Sequence, residues 1–420
     1  MSFEEKNVKA ELCLHDGDHR ELNKKHQYYH LDEEVGPGLP LWLPAGVVLR
    51  DEIEKFAKEL EFLANYKRVS SPHIAKEEMY LKSGHLPYYE DSMFPAMELE
   101  KVNYRLRPMC CPHHHKIFSS EPRSYRDLPL RLAEYGQVYR YERSGVLSGL
   151  MRVRGLCQND AHIYCRKDQV KEEIHKVLDM YQEAYRVLGI SDYRVRLSKC
   201  ADQDNKSSEK YVPMPEKWLW AEGVLREVLQ DLKWDFDEES GEAAFYGPKI
   251  DIQLKNIYGK EESVSTVQLD FMSAGRFDLS YINEKGEPEE PVILHRAPFG
   301  SHERMVSFLI EKYNGAFPLW LAPVQVKVLP LADRHHAFAK EVAKALHNSF
   351  VRVDVDERVE SLSKKVAEAQ AEKVPYVIVI GDREVQDKKL SVRKWEERQS
   401  QSVDLSEFSK QLREKIRLRE

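Results

Sequence analysis

Nowhere in the 420 residues do about 18 apolar residues run uninterrupted, and the opening stretch, MSFEEKNVKAEL, is charged throughout. Neither a membrane span nor a secretory leader is therefore expected, and the expected location is the cytoplasm. Cysteine is scarce: Cys13, Cys110, Cys111, Cys157, Cys165 and Cys200 are the only six. So few, without a secretion signal, argue against a disulfide framework and leave the thiols as core residues or ligands. No repeat or low-complexity tract stands out, and 42% hydrophobic with 32% charged residues is the composition of a globular chain of two or more domains. Charge of one sign is also wanting, since the net value is only −7. It is unevenly spread, with +3 from Val324 to Glu420 and −10 over the remainder. An ordinary solvated surface would produce the same asymmetry.

Residues 47–66 (VVLRDEIEKFAKELEFLANY) carry apolar side chains at helical spacing, and RVSSPHI is extended around Pro72. From Arg131 to Cys165 the pattern predicts strands joined by a loop at RSGVLSG. Residues 168–188 and 214–234 read as helices. Short strand-like runs follow, FYGPKIDIQL, STVQLDF and PVILHRA, and GSHERMVSFLIEKY is a helix opening on Gly300 and Ser301, both good N-caps. Past Ala322–Val324 the rhythm changes. VQVKVLPL, a helix over 335–347, VRVDVD, a helix over 361–373, PYVIVIGD and KLSVRK alternate as in a small α/β domain. Expected domains are thus 1–322 and 323–420.

Two stretches carry most of the chemistry. RPMCCPHHHKIF (107–118) packs two cysteines and three histidines into five of six consecutive positions and raises the question of a metal. MRVRGLCQNDAHIYC (151–165), read as one strand, puts Arg152, Arg154, Leu156, Gln158, Asp160, His162 and Tyr164 on one face and an apolar set on the other. A surface strand could show this pattern, but two guanidiniums, an amide, a carboxylate and an imidazole in a row suit a polyanion that also carries an amine. Arg140 and Glu142 repeat the logic on QVYRYE. His295 ends the apolar run PVIL, and Arg304 falls in the first turn of a helix, where dipole and guanidinium both favour phosphate. Either alone is weak, since a lone strand histidine is more often structural.

GLMRVRG followed by QNDAH, with MCCPHHH, AFYGPKI, TVQLDF and HRAPFGSHER, resembles the catalytic core of the threonyl-tRNA synthetase family, which is class II among the aminoacyl-tRNA synthetases. The resemblance runs in order from about Asp18 to the C-terminus. It implies an α+β catalytic domain built on an antiparallel sheet flanked by helices, followed by a small α/β anticodon-binding domain. It implies ATP-dependent activation of L-threonine and transfer to threonine tRNA, with one Zn2+ per subunit and Mg2+ accompanying ATP. Cys111, His162 and His295 inherit the zinc-ligand positions; Cys110 and His113 stand where the family has Asn and Gly, and His114 at a family histidine that is not a ligand. A zinc with an open position would accept the amine and β-hydroxyl of threonine and reject valine, which has no hydroxyl.

The resemblance also gives Asp160 the substrate's hydroxyl and amine, Arg140 the carboxylate and α-phosphate, Glu142 the adenine, Arg152 the pyrophosphate side and Arg304 the γ-phosphate. Met109, Gln158, Tyr246, Lys249 and Gln268 fall on residues lining the substrate and adenylate pocket. His85 matches a histidine implicated in transfer to the tRNA ribose, with a solvent-exposed loop histidine as the alternative. Pro72 matches a proline of the dimer interface, so a homodimer is expected. Glu384 and Arg393 fall on positions that read anticodon bases. Departures sit beside them: Val359 for the usual Asn, Ala367 for the usual Arg, and Trp395 interrupting R-x-R, a ring that could stack on a base or pack. No stretch resembles the family's editing domains, so serine, one methyl short of threonine and separated by only ~1 kcal/mol, should be misactivated without correction in cis. The alternatives are a threonine-activating paralogue with another acceptor and a non-catalytic binder of tRNA or amino acid, which would most simply have lost Arg140, Arg304 or a zinc ligand.

Overall fold

The computed structural model describes residues 15–201, 211–397 and 399–420. Cys13 and the charged opening stretch lie outside the described residues.

The site is built on an eight-stranded sheet in the order Phe236–Ser240, Arg194–Lys199, Lys249–Lys255, Glu261–Asp270, Val292–Ala297, Gly155–Cys165, Leu130–Tyr139 and Lys67–Arg68. All neighbours pair antiparallel except the outermost pair at each edge. The strands alternate as a one-sided sheet requires. Ile250, Ile252, Leu254, Val267, Leu269, Ile163 and Leu294 enter one core with residues of the helices Pro44–Leu63, Val170–Val187, Pro215–Asp231 and His302–Tyr313. The intervening residues of the central strands face the other side, where the cavity lies.

Helices and strands predicted from periodicity are present within a few residues of their expected ends, including His302–Tyr313, capped by Ser301 Oγ accepting from the Arg304 amide at 3.2 Å. One strand is shorter than predicted. It begins at Gly155 rather than Met151, so Arg152 and Arg154 belong to the connection before it and the strand alternation does not apply to them. Arg154 accordingly turns from the cavity and donates to the Glu142 carbonyl at 2.9 Å and Ser144 Oγ at 3.2 Å. Arg140 and Glu142 likewise lie beyond the end of Leu130–Tyr139.

A separate five-stranded sheet follows, ordered Val353–Val355, Val326–Pro330, Tyr376–Ile380, Lys389–Lys394 and Gln401–Asp404. Its first three strands are parallel, and it has its own core around Val326, Val328, Ile378, Val342 and Leu412. The last strand and the closing helix Leu405–Leu418 were not read from the sequence.

Candidate active site

Backbone pairing alone lines up four chemically active side chains. Lys249 is opposite Gln268, Gln268 opposite His295, and His295 opposite His162. Register partners share a face, so an ammonium, an amide and two imidazoles form one row across four strands. Tyr246 joins it from the preceding turn. Its ring stacks on His295 at 4.8 Å between centroids, and its hydroxyl donates to Gln268 Oε1. Gly247 permits this approach, because a Cβ there would lie 1.8 Å from the Leu269 carbonyl oxygen.

Cys111 opens the helix Cys111–Phe118 and reaches the same place from across the cavity. Its Sγ and one ring nitrogen each of His162 and His295 lie within 4.8 Å of one another. His162 Nε2 and His295 Nδ1 are 2.9 Å apart. The remaining nitrogens have partners of their own: His162 Nδ1 lies 2.8 Å from His114 Nδ1, and His295 Nε2 lies 2.9 Å from Asp270 Oδ2. One thiol and two imidazoles whose outer nitrogens are engaged are a donor set that could hold a metal ion. Burial pushes His162 well below the usual imidazole range, toward the neutral, ligating form, and pushes the Cys111 thiol well up. Burial alone would raise the Asp270 carboxyl, yet the hydrogen bond and charge of His295 hold it below its ordinary value.

Apart from His114, which backs His162, the other members of the cysteine–histidine cluster have different surroundings. Cys110 packs with Val138, Val153 and Leu156. His115 Nδ1 lies 2.9 Å from the Tyr164 hydroxyl. His113 is buried, and burial pushes its imidazole down to about 4. His85 is no exposed loop residue. It is 2% exposed, its Nδ1 is 2.8 Å from Ser83 Oγ, and its Nε2 is 3.3 Å from Met109 Sδ and 3.9 Å from Cys111 Sγ. Burial takes its imidazole down to about 3, so the ring is neutral.

A cavity of about 230 Å3 holds thirteen of the residues singled out in the sequence: Met109, Cys111, Arg140, Glu142, Arg152, Gln158, Asp160, His162, Tyr246, Lys249, Gln268, His295 and Arg304. Away from the histidines its wall is cationic. Arg304 is anchored by donating to the Ser263 carbonyl at 2.6 Å and the Met151 carbonyl at 3.4 Å, and burial lowers its guanidinium from its ordinary value. Arg152 Nε donates to Glu142 Oε2 at 3.0 Å. The cavity also contains Asp251, Ser263 and Thr266, which sequence reasoning did not select. Asp251 Oδ2 holds Lys249 Nζ at 2.8 Å. Its position two residues after Lys249 on a strand was the signal that could have found it. Asp270, in TVQLDF, was visible in the same way from Gln268.

Glu384 and Arg393 are outside this cavity. Glu384 Oε2 accepts from the Gly381 amide at 2.9 Å at the start of the helix Asp382–Asp387, and Arg393 lies on Lys389–Lys394 opposite Val377. Trp395 Nε1 donates to the Gln370 carbonyl at 2.9 Å. That ties the ring to the neighbouring helix, as packing would.

A sheet of this order carries a row of polar side chains across its middle strands and arginines at the mouth of its cavity. Residues 96–313 match the family described as tRNA synthetase class II core domain (G, H, P, S and T), and residues 325–415 match the anticodon binding domain. The chain belongs to the class II tRNA synthetases. Within that class the curated proteins it is similar to include threonine--tRNA ligases. It is 47% identical over 392 residues to threonine--tRNA ligase of Halalkalibacterium halodurans, matching 93% of this chain and 60% of that protein. It is 46% identical over 401 residues to that of Geobacillus kaustophilus, matching 95% of this chain and 61% of that one. A solved threonyl-tRNA synthetase RNA binding domain from Cryptosporidium parvum superposes with a TM-score of 0.88 at 34% identity, over 94% of this chain and 97% of the other. The chain spans about 60% of the length of the curated relatives it matches. Among the described residues no helix is long and apolar enough to cross a membrane.

Proposed function

We propose that the chain activates L-threonine with ATP, forming threonyl-adenylate and pyrophosphate, and transfers threonine to the 3′ end of threonine tRNA. The observation that carries this reading is the convergence of Cys111, His162 and His295 on one point beside Asp160 and below a cationic wall. The three side chains would hold a zinc ion. When bound, the ion would offer coordination positions that the amine and β-hydroxyl of threonine fill and that valine, lacking the hydroxyl, fills less well.

The chain's own groups then divide the work. Asp160 takes the amine and hydroxyl as hydrogen-bond acceptor. Arg140 orients the carboxylate toward the α-phosphorus and offsets charge there, while Arg152 and Arg304 hold the departing pyrophosphate and Glu142 faces the adenine. Lys249, Gln158, Tyr246, Gln268 and Met109 shape the pocket. Mg2+ would accompany ATP and neutralise its phosphates. In the second step we assign to His85, whose Nε2 lies 3.3 Å from Met109 Sδ and 3.9 Å from Cys111 Sγ, a part in the transfer of threonine to the ribose hydroxyl.

We assign the anticodon contacts to Glu384 and Arg393, and the domain boundary to 322/323. Phe317, Trp320, Leu321 and Ala322 pack in the catalytic core, and Val326 and Val328 in the second one. A homodimer fits the exposure of Phe62 (79%) and Leu63 (76%) at the end of the helix before Pro72. A cytoplasmic location fits the enzyme's partners. Threonine-dependent exchange of pyrophosphate into ATP, followed by charging of a threonine tRNA transcript, tests the reading. Exchange without charging would redirect it to another acceptor, and neither activity would make the chain a binder.

A further inference from the structure

The turn at 148–152 forms part of the cavity wall, since Leu150, Met151 and Arg152 all line it. It is closed by its own backbone, with Ser148 N donating to the Arg152 carbonyl at 3.1 Å and Met151 N to the Ser148 carbonyl at 2.8 Å. The Leu150 amide has its partner 131 residues upstream. It donates to Nε2 of His19 at 3.2 Å. His19 is 2% exposed and opens the helix His19–His26; its Nδ1 lies 2.7 Å from Oε1 of Glu311. A neutral imidazole that accepts at Nε2 must donate at Nδ1, and the Glu311 carboxylate enforces that tautomer.

Glu311 is itself fixed. Its Oε2 accepts from the Ile257 amide at 3.0 Å, and it lies near the end of the helix whose first turn carries Arg304. Arg304 in turn donates to the Met151 carbonyl, closing a loop of contacts around the turn. Gly149 has φ +49, and a Cβ there would lie 2.3 Å from His19 Nε2, so the ring fills the space behind the glycine.

Asp18, His19 and Glu311 bring three potential donor atoms within 4.8 Å of one another, a grouping that also suits a metal. The hydrogen bonds decide against one. Asp18 Oδ1 accepts from the Arg20 amide at 2.8 Å, its carboxylate accepts from the guanidinium at 2.9 and 2.8 Å, and both His19 nitrogens are engaged.

We infer that His19 is a positioning residue for the nucleotide end of the cavity, holding the 148–152 turn, and with it Met151 and Arg152, against the helix that carries Arg304. The identity of the nucleotide rests on the adenylation reading above. Loss of the ring leaves the buried Leu150 amide without an acceptor and the turn free to move. His19→Leu removes both nitrogens, whereas His19→Gln keeps an acceptor.

The experiment measures Mg-ATP affinity by calorimetry without amino acid, steady-state exchange, and amide hydrogen exchange over residues 148–152. In His19→Leu the expected result is about tenfold weaker Mg-ATP binding, an equal rise in KM for ATP, kcat and threonine KM within about twofold, and faster exchange of the Leu150 amide. His19→Gln should return ATP affinity to within about threefold of wild type. Unchanged ATP affinity in His19→Leu, equal losses for ATP and threonine, or no rescue by Gln would each overturn the inference. If His19→Leu does not fold, Glu311→Leu, which removes the group that sets the tautomer, must give the same ATP-selective loss or the inference falls. A wild-type protein without threonine-dependent exchange would sink the functional reading alone, because protection of the Leu150 amide needs no catalysis.

Discussion

At one end of the cavity Lys249, Gln268, His295 and His162 sit in register on four neighbouring strands, whereas at the other Arg140, Glu142 and Arg152 sit on chain that has already left the sheet. The first arrangement is fixed by the ladder, which positions every fourth-strand neighbour whatever its side chain. The second depends on contacts that come from elsewhere: the Glu142 carboxylate on Arg152, the Met151 carbonyl on Arg304, and His19 behind the turn. On the proposed reading, the rigid backbone would serve a centre that sorts amino acids by one hydroxyl, and the separately braced turn would serve phosphates that arrive and leave.

The comparison can be pressed at both ends. Arg140→Ala removes a guanidinium whose Nε makes only a long contact, 3.4 Å, to the Pro108 carbonyl. Exchange kcat should fall about 10^2- to 10^3-fold while thermal stability stays within roughly 0.5 kcal/mol, measured by exchange assay and melting. Asp270→Asn acts at the strand end. It leaves the three donor residues in place but loses the carboxylate on His295, so zinc affinity should drop about 10- to 100-fold in a chelator competition.

Glu303 links the two ends, because its Oε2 accepts from the amide of Cys157 at 3.0 Å, joining the Arg304 helix to the start of the central strand. Burial pushes its carboxyl up to about 7. The folded chain therefore keeps this proton between about pH 4.5 and 7 while the unfolded chain releases it, and the group's contribution to stability falls as pH rises through that window. Glu303→Gln should gain about 1 to 2 kcal/mol on wild type between pH 5 and pH 7.5 in chemical denaturation, and a constant difference would contradict the assignment. The smallest effect is expected far from either end. Arg393→Ala should raise KM for tRNA about threefold and leave exchange unchanged, as read by comparing charging with exchange.

Strand alternation made the amino-acid end legible. Gln158, Asp160 and His162 were predicted to share a face and do line the cavity. It failed at Arg154, because alternation was extended four residues beyond where pairing with Leu130–Tyr139 begins. The partners that brace the site were harder to see. His19–Glu311 and His19–Leu150 join residues 292 and 131 positions apart, and no local period carries such contacts. Asp270 and Asp251 were within reach, each two residues from a selected strand position. The anticodon-binding domain showed its alternation of strand and helix, but its last strand and helix follow a polar stretch with little hydrophobic signal.

Metal analysis of the purified chain beside its Cys111→Ser, His162→Ala and His295→Ala variants, each paired with threonine-dependent exchange, tests the convergence of these three side chains most directly. One zinc per wild-type chain, with metal and exchange lost together in every variant, is the predicted result. A Cys111→Ser protein that kept its zinc and its full exchange rate would contradict it.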